Sequence, residues 1–151
     1  MARARSGGGP LPLQESDPSL PEDVRALISK AKDSWLKNAE IFRILTCLWD
    51  GAVVDLAREA PVQPEGGLLF LVDRKSCRNF RRDGHHWRKK KDGRAVKETH
   101  EKLKVADEER LNCYYAHSDL EDALQRRSYW LLDEQRDSAV LMHYLCSYVT
   151  R

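Results

Sequence analysis

A basic segment at residues 73–104 sets the strongest constraint on how this chain folds. It holds 13 Lys and Arg residues against 5 Asp and Glu, an excess of +8, whereas the rest of the chain has 13 basic and 19 acidic residues. Phe80, Trp87, Val96 and Leu103 interrupt its charges, and a disordered basic arm has no use for such residues. We therefore expect a folded segment that holds its cations in register to meet a polyanion.

The length of 151 residues suits one domain with a core of its own. Cys47, Cys77, Cys113 and Cys146 lie far apart without CxxC spacing, which favours neither a zinc ribbon nor a redox pair and indicates a reduced, intracellular setting. No apolar run approaches the length of a membrane span, and no signal-peptide core is recognisable at the N-terminus. We expect a soluble protein that has no membrane partner and is not secreted.

Residues 1–20 predict a disordered tail, since they are rich in Gly and Pro and contain few bulky apolar residues. Residues 21–151 predict a single domain. Ser19 and Glu22 have the spacing of a capping box at the start of a first helix. A second helix is predicted from Asn38, a suitable cap, to Gly51, which suits a helix end. The apolar residues at helical spacing are Val24, Leu27, Ile28 and Trp35, then Ile41, Leu45, Leu48 and Trp49.

Four apolar runs predict strands, at residues 68–72, 111–117, 126–132 and 139–149. A turn at Asp92-Gly93 leads into residues 94–105, where Val96, His100 and Leu103 have helical spacing. The free N–H groups of that helix would contact a phosphate beside the lysines at residues 89–91. The predicted class is α+β, with N-terminal helices packed on a mainly antiparallel sheet and one inserted helix.

The pair Asp83-Gly84 is the strongest hairpin signal, because both central residues of a type I′ turn need positive φ. A two-residue turn there places Phe80 opposite Trp87 on one face of the two strands. We expect that face to pack on the core while the other face meets an anion. The second face carries Asn79, Arg81, His86, Arg88 and Lys90.

The blocks WLKNAEIFRIL, LLFLVDRKSCRNFRRDGHHWRKKKDGRAVKETHEKLKV, LNCYYAHSD, QRRSYWLLDE and VLMHYL occur in this order over residues 35–146. Together they closely resemble the CG-one domain, the N-terminal DNA-binding module of the calmodulin-binding transcription activators. The resemblance implies a nuclear activator whose domain binds duplex DNA with a CGCG core without a metal. It implies nuclear import through Arg81-Arg82 and residues 88–91. Calmodulin would bind further along the family's full-length members, so we expect no calmodulin binding by this chain.

The predicted DNA contacts are the cations of the basic segment and one histidine. Arg88 and Lys90, on the outward face of the predicted hairpin, are assigned to the groove, where Arg reads guanine through a bidentate fork. Lys89 and Lys91 suit phosphates equally well. The phosphate contacts are assigned to Arg74, Lys75, Arg81, Arg94 and Lys97, and the complete set adds Arg78, Arg82 and His86.

The histidines favour structural roles over a metal site. His85 and His86 are adjacent, so their rings point to opposite faces of a strand, and no metal or other cofactor is expected. His100 is interpreted as a core residue. His117 and His143 are interpreted as structural, with some chance that His117 touches DNA. Arg126 and Arg127 have opposite parity, so one is expected to pair with an acidic neighbour.

Two other functions stay open at this stage. Trp87, Trp130, Tyr115 and Tyr129 would serve an RNA or single-strand binder if they were exposed as stacking platforms, although their period-two spacing is more typical of a core. A basic protein-interaction domain that docks an acidic partner is the other alternative. An enzyme is not expected, because the sequence has no nucleophile elbow, phosphate loop or HExxH motif.

Overall fold

The computed structural model describes residues 10–49, 56–121 and 123–146. Within these residues the chain forms two α-helices, five β-strands and one turn of 3-10 helix at Glu134–Arg136. In chain order the elements are α1 (Glu22–Lys30), α2 (Asn38–Trp49), β1 (Leu68–Asp73), β2 (Thr99–Val105), β3 (Glu108–His117), β4 (Leu124–Leu131) and β5 (Ala139–Cys146).

The five strands form one antiparallel sheet in the order β1-β5-β4-β3-β2. Strands β2 to β5 follow one another as neighbours, and β1 adds to the far side of β5. The predicted α+β class is confirmed. The four predicted strands are also confirmed within the described residues, since each apolar run coincides with β1, β3, β4 or β5.

The two helices cover one face of the sheet. Val24 and Ile28 of α1 and Ile41 and Leu45 of α2 are buried, because residues three and four apart share a side of a helix. Each such side chain contributes about 1.5 to 3 kcal/mol of transfer free energy when it leaves water. Neither helix has the length and apolar character of a membrane span, within the described residues. The sheet residues in this core are Leu69, Leu71, Leu111, Cys113, Tyr129, Leu131, Ala139 and Leu141.

The helix starts differ from the predicted caps. Ser19 donates to Asp17 instead of capping α1, so the predicted capping box is wrong. The Asn38 amide donates to the carbonyl of Lys104 in β2, 3.0 Å away, and thereby ties the start of α2 to the sheet. Trp35 lies beyond the end of α1, and Gly51 lies outside the described residues.

Part of the predicted tail contacts the domain. Residues 1–9 lie outside the described residues. The N–H of Leu13 donates to the carbonyl of Leu69 at 2.7 Å, and Leu20 is buried in the helix-side core. The predicted boundaries of tail and domain stay predictions.

The inserted helix predicted at residues 94–105 is wrong, because this stretch ends in the strand β2. His100 lies opposite Tyr114, and Leu103 lies opposite Leu111, in a ladder with β3. Pairing with β3 supplies the hydrogen bonds that a helix would have made internally, so tertiary context overrides the local pattern. The predicted phosphate contact at a helix N-terminus therefore falls away.

Candidate nucleic-acid interface

The basic segment covers the second face of the sheet and buries its aromatic side chains there. Phe80 and Trp87 are only 2% and 3% exposed. The Phe80 ring meets the Trp130 ring of β4 edge to face, with centroids 6.1 Å apart, and the Trp87 ring lies 6.2 Å from that of Tyr144 in β5. The aromatic side of the segment is thus anchored on the core, as the residue types predict.

The first predicted hairpin is wrong, although Gly84 adopts the positive φ that its turn requires, at 85°. The carboxylate of Asp83 accepts hydrogen bonds from the His85 N–H at 3.1 Å, the Trp87 indole at 2.9 Å and the Tyr144 hydroxyl at 2.6 Å. The first of these bonds is typical of an Asx turn. Because the carboxylate is buried, the turn is drawn towards the core and no ladder forms across it.

The hairpin of the segment lies at residues 88–97, around the second predicted turn. The N–H of Lys90 donates to the carbonyl of Ala95, and the N–H of Lys97 donates to the carbonyl of Arg88, each at 2.8 Å. We call residues 88–97 the basic hairpin. It is a short two-stranded ribbon.

Alternation along the ribbon separates its side chains into two faces. Lys89 pairs with Val96, whose side chain packs against the core that contains Trp87. Arg88, Lys90 and Lys97 are therefore on the opposite face. The outward direction predicted for Arg88 and Lys90 is retained on this different hairpin.

The base of the basic hairpin is hydrogen-bonded to the end of β3. Trp87 pairs with Ser118 in an isolated antiparallel bridge, and the N–H of Arg88 donates to the carbonyl of His117 at 2.8 Å. The ribbon is thus continuous with the sheet, which limits its movement relative to the domain.

Arg126 of β4 is fully buried and holds the basic segment from below. Its guanidinium donates to the carbonyl of Arg81, to the Asp83 carboxylate and to the Glu98 carboxylate, each at 2.9 Å. It also lies 4.6 Å from the centroid of the Trp87 ring. The expectation that one of two adjacent arginines pairs with acidic neighbours is confirmed.

Ten of the twelve predicted contact residues are exposed. Within the parts of the chain that the structure describes, no carboxylate forms an ion pair with Lys89, Lys90 or Lys91. These ammonium groups are therefore available to an anion. The exposed residues are Lys75, Arg78, Arg82, His86, Arg88, Lys89, Lys90, Lys91, Arg94 and Lys97.

The two remaining cations of the predicted set are partly buried and engage carboxylates. Arg74 pairs with Asp137 at 2.9 Å and lies over the Trp130 ring at 5.0 Å. Arg81 pairs with Glu98 at 2.8 Å. Arg74 fastens the basic segment to the sheet, and Arg81 joins two parts of the segment to each other. Their role as phosphate contacts stays a prediction.

Comparison with known proteins identifies this arrangement. The family model of the CG-1 domain matches residues 30–147, which include the basic segment and all five strands. The chain belongs to the CG-1 domain family.

The relatives of this CG-1 domain are much longer proteins. Calmodulin-binding transcription activator 2 of Arabidopsis thaliana is 49% identical over 123 residues, which are 82% of this chain and 11% of that protein. Calmodulin-binding transcription activator 1 of the same plant is 46% identical over 128 residues, or 85% and 12%. The human calmodulin-binding transcription activator 2 is 43% identical over 83 residues, or 55% and 7%. The chain thus spans about one eighth or less of these relatives, and no solved structure matches it.

The histidines of the CG-1 domain occupy three kinds of environment. The His85 ring is within 2.8 Å of the Pro64 carbonyl, and the His143 ring is buried 2.8 Å from the Ala31 carbonyl. His86 is exposed beside the basic hairpin. Among the described residues, no group of three or more His, Cys, Asp or Glu side chains is arranged to hold a metal ion.

The prediction that His100 is a core histidine on a helix is wrong. It lies exposed on β2, the edge strand, where its ring stacks on Tyr114 with centroids 4.3 Å apart. Its Nε2 is 2.8 Å from the side-chain oxygen of Asn112. The stack closes the edge of the aromatic layer beneath the basic segment.

Two residues near the basic hairpin received no firm assignment from the sequence. Arg127 stacks over the rings of Trp35 and Tyr115, 3.9 and 5.0 Å from their centroids. His117 is exposed at the end of β3, beside Arg88. The spacing of residues in the sequence does not predict that His117 lies beside Arg88, because their closeness depends on the bridge between the basic segment and β3.

Proposed function

We propose that this CG-1 domain binds duplex DNA with a CGCG core through its basic hairpin, as the DNA-binding module of a nuclear transcription activator. The observation that carries the proposal is the division of the basic segment into two sides. Its aromatic residues are buried on the sheet, whereas most of its cations are exposed. A ribbon with this division, hydrogen-bonded to the end of β3, presents an ordered pattern of positive charge to a polyanion.

The exposed cations account for affinity. Lys89 and Lys90 lie on one strand of the hairpin, and Lys91 and Arg94 lie in its turn. Each cation that neutralises a phosphate releases condensed counterions, so binding becomes steeply salt-dependent. About six phosphate contacts would give a slope near −5 when log affinity is plotted against log salt concentration.

The outward face of the hairpin accounts for base preference. The major groove admits a two-stranded ribbon, and a CGCG core presents guanine O6 and N7 acceptors there. Arg88 and Lys90 lie on the side of the ribbon that faces away from the core, so we assign base contacts to these two residues. The remaining exposed cations are assigned to the phosphates.

The names of the relatives support a role in transcription. They are called calmodulin-binding transcription activators, so we infer a non-enzymatic role in the nucleus. Import would use the basic clusters at Arg81-Arg82 and residues 88–91. Calmodulin binding, by contrast, is assigned to regions of the full-length relatives that this chain does not match.

A titration with two duplexes tests the proposal. Fluorescence anisotropy at physiological salt should show that a CGCG duplex binds at least tenfold more tightly than a scrambled duplex of the same composition. Equal affinity for the two duplexes would reject sequence recognition. Absence of binding to either would reject the interface itself.

The burial of the aromatic residues separates this proposal from single-strand or RNA binding. Trp87, Trp130 and Tyr129 are each at most 8% exposed, so they offer no stacking surface to unpaired bases. Competition by an equal concentration of single strands or hairpin RNA should therefore displace little of the labelled duplex. An acidic protein partner would reveal itself if substitution of Arg88 and Lys90 abolished its binding and spared DNA binding.

A further inference from the structure

A row of basic side chains crosses three neighbouring strands at the end of the sheet. Lys97 lies opposite Arg88 within the basic hairpin, and Arg88 lies opposite His117 at the end of β3. Directly opposed residues project on the same side of a sheet, and each step between strands is about 4.8 Å. All three side chains are exposed, so they form a ladder that continues the basic hairpin onto the sheet.

Arg127 of β4 adds a fourth cation to the same face. It lies opposite Tyr115 in the ladder between β3 and β4, two residues before His117 on β3, and therefore shares the side of His117. Its guanidinium lies over the rings of Trp35 and Tyr115. A planar guanidinium whose position is fixed by two rings suits an oxygen ligand from outside the chain.

The surroundings of His117 favour the neutral ring in the free protein. Partial burial, and then the positive charges of Arg88, Arg127 and Lys97, lower the pKa of His117 below its usual value of 6.5. The groups that face the ring come from three elements: Arg88 and Lys97 from the basic hairpin, Arg127 from β4 and Tyr115 from β3 itself. A phosphate anion among these cations would raise the pKa of His117, because a negative charge nearby favours the charged imidazolium.

We propose that His117, Lys97 and Arg127 form a phosphodiester-binding subsite beside the basic hairpin, and that His117 takes up a proton when duplex DNA occupies it. The inference rests on the proposed function, because the duplex supplies the phosphate. The proton comes from solvent and is held on a ring nitrogen of His117, and the resulting N–H donates a hydrogen bond to a phosphate oxygen.

Affinity measured against pH tests the subsite. Since one unit of pKa difference corresponds to a factor of ten, wild-type protein should bind the duplex about fivefold more tightly at pH 6.0 than at pH 7.5, at constant ionic strength. His117→Asn should lose most of this difference, and His117→Lys should bind at pH 7.5 about as tightly as wild type does at pH 6.0. His100→Asn, which alters an exposed histidine on the other face of the sheet, should keep the wild-type dependence.

Nuclear magnetic resonance of the His117 ring gives a second readout that needs no variant. The pKa of His117 should rise on saturation with duplex, equally for CGCG and scrambled sequences, since a phosphate contact carries no sequence information. An unchanged ring pKa, or an equal pH dependence in His117→Asn, would overturn the subsite and leave the proposed function standing. A protein that binds no duplex at any pH would refute both.

Discussion

Arg126 and Asp83 form an ion pair from which solvent is excluded, with Nη1 2.9 Å from Oδ2 and both side chains 0% exposed. Through its other amino group Arg126 pairs with Glu98, also at 2.9 Å. Asp83 and Glu98 flank the basic hairpin in sequence. One buried side chain of the sheet therefore fixes both ends of the segment that carries the exposed cations.

Replacement of Arg126 should destabilise the domain strongly. Arg126→Met keeps much of the volume but leaves the buried Asp83 carboxylate without its cation, which typically costs about 3 to 5 kcal/mol. Urea unfolding measures the loss. Arg110→Met, which breaks the exposed pair with Glu108, should change stability by no more than about 0.5 kcal/mol. A loss below about 1 kcal/mol in Arg126→Met would show that other contacts hold the segment.

Trp87 should act through packing and not through contact with DNA. Trp87→Ala removes a buried ring and should cost about 3 to 5 kcal/mol in the free energy of unfolding. Trp87→Phe keeps a ring and loses the indole bond to Asp83, so its cost should be smaller, about 1 to 2 kcal/mol. Both are measured by urea unfolding. If Trp87→Ala were as stable as wild type but bound DNA poorly, Trp87 would belong to the interface.

His143 should make stability fall in mild acid. Burial lowers the pKa of His143 to about 4, whereas the unfolded chain has a value near 6.5. The unfolded state then binds the proton more readily, so the stability present above pH 6.5 is lost as pH falls towards 4, by up to about 3 kcal/mol. Unfolding at pH 7.5, 6.0 and 5.0 measures the slope above the range where most carboxylates titrate.

A substitution separates His143 from other titrating groups. His143→Gln should show a shallower loss between pH 7.5 and 5.0, whereas His86→Gln, at an exposed position, should keep the wild-type slope. If both variants matched wild type, the acid sensitivity would have another origin.

Lys91 should contribute affinity without sequence preference. It is exposed in the turn of the hairpin, directly after Lys90. Lys91→Ala should weaken binding to CGCG and scrambled duplexes by the same factor and reduce the log-log salt slope by about one. Titrations at four salt concentrations measure the slope. An unchanged slope would place Lys91 away from the phosphates.

Much of the framework follows from local sequence signals. The apolar runs of β1, β3, β4 and β5 identify strands, because a short run of branched and aromatic residues suits a buried strand. Phe80 and Trp87 were expected to pack inward, since rings of that size gain most from leaving water. Both statements depend on the residues themselves and need no knowledge of distant partners.

The errors arise where distant residues decide the local structure. Asp83-Gly84 has the composition of a hairpin turn, yet Asp83 is drawn inside by Arg126 and Tyr144, which lie 43 and 61 residues away. The helical spacing of Val96 and Leu103 is overridden because β2 pairs with β3. Likewise, His117 lies beside Arg88 because the basic segment pairs with the end of β3. No local pattern in the sequence predicts that pairing.

The most direct test of base recognition by the basic hairpin is the discrimination ratio of Arg88→Ala. This ratio is the Kd for a scrambled duplex divided by the Kd for a CGCG duplex. Lys91→Ala is the matched control. We expect the discrimination free energy, RT ln of this ratio, to be about 1 to 3 kcal/mol smaller in Arg88→Ala than in wild type, while Lys91→Ala preserves it, because only groove contacts distinguish bases. An undiminished ratio in Arg88→Ala would contradict the assignment of Arg88 to the groove.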